Sequence, residues 1–272
     1  MKRPHLSPLS KPKLRDYSIN RLIPNLLTLF SLSAGLSAIR FALNGKWEAA
    51  VVSIGVAAIF DTLDGRIARI LDSTSKFGAE LDSLSDFLSF GVAPAFILYM
   101  WSLQEAGGLG WALTIIYVIC TALRLARFNT KIDNDDVPAW SGRFFTGVPA
   151  PAGAGLVLLP LIVSLEYGGE LFSSTVLVGF VVLGVAALLV SRLPTYSFKR
   201  LKIRPANVLP VMVIFALYAS FLVSTPWNTM IFSLTIYLGT IPFAYFSHKK
   251  LQAQSSYNMS VTGEPPLDDR QF

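Results

Sequence analysis

Aspartates at 61, 64, 82 and 86, with Arg69 between them, stand out in "DTLDGRIARILDSTSKFGAELDSLSD", residues 61–86, of a chain that is otherwise strongly apolar. In a helix, residues three and four apart share a face, so Asp61, Asp64, Gly65 and Ala68 form one stripe. The same spacing aligns Gly78, Asp82 and Asp86. Two antiparallel helices joined by the short turn at "LDSTSK" can aim all four carboxylates into one space. Near the centre of a bare bilayer each would cost roughly 2.5–3.5 kcal/mol, and mutual repulsion adds to that, so the group needs a cation or water. Oxygen-only ligation suits hard divalent ions such as magnesium, manganese or calcium, and no histidine or cysteine lies nearby to favour zinc. Four carboxylates are enough for two ions, the arrangement that clamps the attacking and leaving oxygens of a phosphoryl displacement. Arg69 adds a planar fork of donors suited to phosphate oxygens. Gly65 and Ala68 leave the helix surface bare, so a ligand can approach the backbone. Asp72 and Glu80 read instead as a helix cap and a solvated loop charge.

The elements that must position these groups are membrane spans. Of 272 residues, 53% are hydrophobic and 15% charged, with a mean hydropathy of +0.53; a soluble domain carries about 25% charged residues. The pattern predicts an all-α fold, a polytopic transmembrane helical bundle. "LIPNLLTLFSLSAGLSAI", from Leu22 to Ile39, is free of charge and close to the roughly 20 residues a crossing helix needs. Further spans are expected near 47–70, 80–101, 109–128, 149–166, 171–191, 206–224 and 229–247, separated by segments with Gly, Pro, Asn or charge. Six spans with two re-entrant segments is the alternative. Eight spans return both termini to one side, where all the lysines and arginines except Arg40 and Lys46 then fall. Such a bias marks the cytoplasmic face. The organisation expected is a basic cytoplasmic segment at 1–21, a transmembrane catalytic domain at 22–247 and a polar tail at 248–272, with no removable signal peptide at the start.

Other features carry less. Cys120 lies in an apolar run and reads as a packing residue; a single cysteine excludes an internal disulfide. His5 and His248 fall near the termini, outside the expected cavity. Trp47, Trp101, Trp111 and Trp227 sit at expected span ends, the usual place of interfacial anchors. The net charge of +6 suits anionic headgroups of membrane lipids, and nucleic acid is not an expected partner.

Written as D-x2-D-G-x2-A-R-x8-G-x3-D-x3-D, the acidic stretch resembles the signature of the CDP-alcohol phosphotransferases, with Asp61, Asp64, Gly65, Ala68, Arg69, Gly78, Asp82 and Asp86 at its fixed positions. The resemblance implies transfer of a phosphatidyl or related group from a CDP-linked donor to an alcohol, with release of CMP. It implies two divalent ions, Mg2+ or Mn2+: Asp61, Asp64 and Asp82 around the first, Asp61, Asp82 and Asp86 around the second. Asp64, Gly65, Ala68, Arg69 and Gly78 would meet the nucleotide, and Asp86 would take the proton from the acceptor hydroxyl. A homodimer is also implied.

"GVAPAFILY", "ALRLARFN", "FTGVPAPAGA" and "PTYSFKRLKI" are similar to the membrane-embedded phosphatidylserine synthases of bacteria, over about residues 15–245. This likeness implies CDP-diacylglycerol and L-serine as substrates. Arg124 and Arg127 could face the serine carboxylate, with Asn129 and Asn25 adding hydrogen bonds, and Lys199 and Arg200 could grip phosphate. Ordinary inside-positive anchoring explains the same arginines, and loop topology the same lysine–arginine pair. Other acceptors stay open: glycerol 3-phosphate, inositol phosphate or choline. A divalent-cation transporter is the rival from another class. It would spread acids at several depths along a crossing path, whereas these cluster at one end of two spans.

Overall fold

The computed structural model describes residues 19–132, 144–191, 193–196 and 207–262. The chain is a bundle of helices: α1 (Ile19–Leu43), α2 (Trp47–Ile70), α3 (Lys76–Asp86), α4 (Ala93–Trp101), α5 (Gly108–Ile132), α6 (Ala150–Tyr167), α7 (Glu170–Ser173), α8 (Thr175–Val190), α9 (Val208–Ser224) and α10 (Pro226–Thr262). A π-helical segment, Phe87–Val92, joins α3 to α4 without a break, and a 3-10 turn, Leu103–Ala106, leads into α5. The all-α reading holds. Its one addition is a pair of three-residue strands, β1 (Phe144–Thr146) and β2 (Pro194–Tyr196), antiparallel with Phe145 opposite Thr195.

Each expected span overlaps a helix among the described residues, the stretch at 171–191 taking in two, α7 and α8, with a break at Ser174. Among the described residues, four stretches are long and apolar enough to cross a membrane: Leu22–Leu43, Lys76–Trp101, Gly108–Thr130 and Ala150–Tyr167. Two apolar helices are shorter, Thr175–Val190 and Val208–Ser224, and α2 carries Asp61, Asp64 and Arg69 of the signature. Large apolar side chains stay on the outside, among them Leu26, Phe30, Ile59, Phe180, Phe215 and Phe232. A surface of that kind is a liability in water and the normal covering of a protein in lipid. The chain is an integral membrane protein. At the far end, α10 runs on to Thr262, into the segment expected as a polar tail. Its continuation, "LQAQSSYNMSVT", contains neither glycine nor proline to interrupt it.

One face of α1 organises the core. Thr28, Ser31, Gly35, Ala38 and Ala42 recur at helical spacing and are all buried. Small side chains let neighbouring backbones come close, which is how helices associate in lipid. Ser31 donates to the Ala57 carbonyl on α2 at 2.9 Å. Against Gly35 the approach is closest: a Cβ there would lie 2.4 Å from Ser89 Oγ and 2.8 Å from Ser89 Cα, in the π segment. Deeper in, Phe90, Ile97, Leu98, Tyr117, Leu158 and Leu161 fill the space between α4, α5 and α6. Pro94 has no N–H to offer the carbonyl four residues before it, and the buried Tyr117 hydroxyl donates to that carbonyl, Phe90 O, at 3.0 Å.

The two ends of the bundle differ in chemistry. Trp47, Trp101, Trp111 and Trp227 lie at the end where α2, α5 and α10 begin and α4 finishes, with Trp111 edge-on to Phe96 and Tyr99. Arg40, in the last turn of α1, belongs to that end as well. Asp61, Asp64, Asp82 and Asp86 are at the other.

Candidate active site

Asp61 and Asp64 stand on the last turns of α2, and Asp82 and Asp86 on α3. The connection between these helices is five residues long, Leu71–Ser75, and turns sharply at Asp72, whose φ is +46°. Ser75 then caps α3, accepting the Gly78 N–H at 3.0 Å. The tight reversal brings the two stripes face to face, and one oxygen from each of Asp61, Asp64 and Asp82 lies within 4.8 Å of the others. Asp64 is buried, at 4% exposure. Asp86 reaches to within hydrogen-bonding distance of Asp61, while its Oδ1 is buried without a hydrogen-bond partner.

These residues fit a divalent metal centre. Oxygens on opposite sides of one hard dication lie about 4–5 Å apart, given metal–oxygen bonds of roughly 2.0–2.6 Å, and the three aspartates span no more than that. The donor set is all oxygen, which favours magnesium, manganese or calcium over softer metals. A buried carboxylate oxygen left unpartnered is costly unless something else completes it.

The remaining signature positions divide by environment. Nothing lies within 4 Å of a Cβ built at Gly65, so the helix surface beside Asp64 opens onto free space. Arg69, four residues on, is exposed in the last turn of α2. Gly78 is different: a Cβ there would meet Asn25 Oδ1 at 3.0 Å and Ser75 Oγ at 3.1 Å, so its smallness serves close packing of α3 on α1. Asn25 is thereby placed at the acidic end of the bundle. Ala68 is half-buried.

Arg124 of α5 is half-buried and interacts electrostatically with Asp86 and Asp61. Its Nε donates to the Val148 carbonyl at 2.6 Å, which anchors it to the start of α6. Arg127 points elsewhere, donating through Nη1 to the Val190 carbonyl at 2.7 Å. That closes the C-terminal end of α8, a favourable place for a cation. Asn129 is paired with Ser83, its Nδ2 donating to Ser83 Oγ at 2.9 Å, so it braces α5 on α3 beside Asp82. Lys199 and Arg200 lie outside the described residues. The bundle therefore brings together the four aspartates, Gly65, Asn25, Asn129 and Arg124, and turns Arg127 toward α8.

Two residues at the site escape the sequence reading. Thr28 Oγ1 donates to Asp64 Oδ2 at 2.6 Å, and Ser85 Oγ donates to the Thr28 carbonyl at 3.2 Å. The available signal was the periodic run of small polar residues at 25, 28 and 31 in an otherwise aliphatic span.

Fold and site together define a class: a polytopic helical membrane protein with an acidic, oxygen-only centre at one end of its bundle. The chain belongs to the CDP-alcohol phosphatidyltransferase family, whose match covers residues 21–190 and so contains the whole acidic motif. Among its relatives is a CDP-diacylglycerol–serine O-phosphatidyltransferase of Mycobacterium leprae, 38% identical over 244 residues, which cover 90% of this chain and 81% of the relative. The protein of that name from Mycobacterium bovis is 37% identical over 89% of this chain and 85% of its own length. Another from Helicobacter pylori is 38% identical over 66% and 74% respectively.

Proposed function

We propose that this chain transfers the phosphatidyl group of CDP-diacylglycerol to L-serine, giving phosphatidylserine and CMP. The observation that carries the reading is the convergence of Asp61, Asp64 and Asp82, with the unpartnered Oδ1 of Asp86 beside them. It is supported by the name shared by relatives that align with most of the chain. Bound divalent cations, Mg2+ or Mn2+, would neutralise the carboxylates and polarise the donor's diphosphate. Asp61, Asp64 and Asp82 would hold one ion, and Asp61, Asp82 and Asp86 a second.

The chain's own groups supply the rest. Gly65 leaves room for the cytidine, with Ala68 beside it, and Arg69 offers its donor fork to the phosphates. The acceptor hydroxyl oxygen bonds to the phosphorus bearing diacylglycerol as the bond to the CMP oxygen breaks, and the hydroxyl proton passes to Asp86. Direct displacement suits the surroundings. Ser83 is engaged by Asn129, Ser85 donates to the Thr28 carbonyl, and neither has a histidine to activate it among the described residues. Arg124, held through Nε beside Asp86, would present its guanidinium to the serine carboxylate. The near-complete segregation of lysine and arginine supports placing both termini and the site at the cytoplasmic face of the inner membrane. There the chain would work as a homodimer among membrane lipids.

The test is direct. Purified protein is given CDP-diacylglycerol with serine, glycerol 3-phosphate, inositol phosphate or choline in turn, and CMP release is followed. Serine should be used well above the rest. Preference for another alcohol would reject the acceptor and keep the chemistry; no CMP with any of them, with Mg2+ or Mn2+ present, would reject the chemistry.

A further inference from the structure

Helix α1 contributes no carboxylate, yet it touches both helices that do. Thr28 is 3% exposed, and its single hydroxyl proton has two acceptors in reach: the Pro24 carbonyl at 3.1 Å and Asp64 Oδ2 at 2.6 Å. A threonine in a helix ordinarily bonds back to the carbonyl four residues earlier. Here the shorter contact goes to the carboxylate, at the length of a charge-assisted O–H···O⁻ bond. The β-branched side chain has few rotamers in a helix, so the hydroxyl direction is set by the backbone.

The next turn repeats the arrangement. Ser31 donates to α2 through the Ala57 carbonyl at 2.9 Å, and its own carbonyl accepts from Ser89 at 3.3 Å. Likewise the Thr28 carbonyl accepts from Ser85, the residue just before Asp86. Two rungs thus tie α1 to α2 on one side and to the α3–π helix on the other. The rungs differ in one respect: Ser31 ends on backbone, and Thr28 ends on a carboxylate of the acidic centre.

We infer that Thr28 is a positioning residue that fixes the Asp64 carboxylate for the cation while coupling the two acid-bearing helices through α1. The inference rests on the reading of the four aspartates as a divalent-metal centre. Groups that orient a ligand from behind typically contribute 10–100-fold in metal affinity or activity.

The experiment is Mn2+ binding to the purified full-length protein in nanodiscs, read from the electron paramagnetic resonance signal of free Mn2+. Thr28→Val keeps the shape and removes the hydroxyl, and its Mn2+ affinity should fall by about tenfold or more, whereas Thr28→Ser should bind within about twofold of wild type. Ser31→Ala, which breaks the other rung, should lower thermal stability and leave Mn2+ affinity unchanged. If Thr28→Val does not fold, Thr28→Ala must show the same weakened binding. Wild-type affinity in a folded Thr28→Val or Thr28→Ala variant overturns the inference, as does equal weakening in Thr28→Ser, which would mean that the methyl group matters. A wild-type protein that binds no Mn2+ overturns the metal centre itself, and with it this role.

Discussion

Replacing Asp82 by asparagine should make the metal-free protein more stable and the enzyme inactive. Asp82 presents an oxygen within 4.8 Å of oxygens on both Asp61 and Asp64. At that separation and an effective dielectric of about 20, two unit charges repel by about 3.5 kcal/mol, so two such pairs amount to about 7 kcal/mol. Side-chain relaxation and entry of water absorb most of this, which leaves an expected gain on the order of 1–3 kcal/mol for Asp82→Asn without metal. Cation binding works in the opposite sense. Wild type at a Mn2+ concentration a hundredfold above its Kd should gain about 2.7 kcal/mol, a gain the variant should largely lose. Thermal unfolding in detergent, with EDTA and with Mn2+, reads both effects, and CMP release reads activity. In EDTA the variant should melt above wild type; in Mn2+ the order should reverse. If Asp82→Asn melts below wild type in EDTA, or is stabilised by Mn2+ as strongly as wild type, the carboxylates do not share an ion in the way deduced here.

Three further outcomes follow from the geometry. Asp86→Asn should abolish CMP release while nucleotide binding, measured by retention of labelled CDP-diacylglycerol, persists in part; unchanged turnover would reject Asp86 as the proton acceptor. Gly65→Val should fold, because nothing lies within 4 Å of the new Cβ, but should raise the KM for the CDP-linked donor by filling the open surface beside Asp64. Gly35→Ala should lower stability by about 1–3 kcal/mol, the usual range for overpacking, since its Cβ would fall 2.8 Å from the Ser89 backbone. Activity should fall with it because Ser89 lies one turn beyond Asp86, and a Gly35→Ala protein with wild-type melting and turnover would show that α1 and the π segment are not in close register.

The acidic centre was legible because its residues are few, charged and spaced at helical intervals on two adjacent helices. Four carboxylates aligned on shared helix faces of an apolar chain are not explained as caps or loop charges, and the short connection at "LDSTSK" leaves the two stripes little choice but to face one another. The spans were legible for the same reason of contrast, since each is bounded by charge, Gly, Pro or Asn. Thr28 was not. A threonine in a greasy helix normally satisfies itself on the preceding turn, and its reach to Asp64 depends on the rotation of α1 against α2, which local sequence does not encode. The π segment was hidden as well, because an extra residue in one turn is a tertiary accommodation, although Gly91 and Pro94 mark the place where the regular ladder fails. Arg127 and Arg124 look equivalent on the page, three residues apart at one helix end. Packing separates them by giving Arg127 the open carbonyl end of α8 and Arg124 the space beside Asp86.

That separation bears on why the centre would call for cations from outside the chain. Arg124 brings one positive charge to four carboxylates, and Arg127, the next cation along α5, is committed to α8. An excess of buried like charge is destabilising in itself. Phosphate-bearing substrates would deepen the imbalance by adding negative charge to the same pocket. An arrangement that is unfavourable alone and unfavourable with substrate becomes favourable when dications bridge the two, so metal and CDP-linked donor should bind cooperatively. Raising Mn2+ from below to above its Kd should therefore tighten donor binding, and a donor affinity indifferent to Mn2+ would count against the entire electrostatic account.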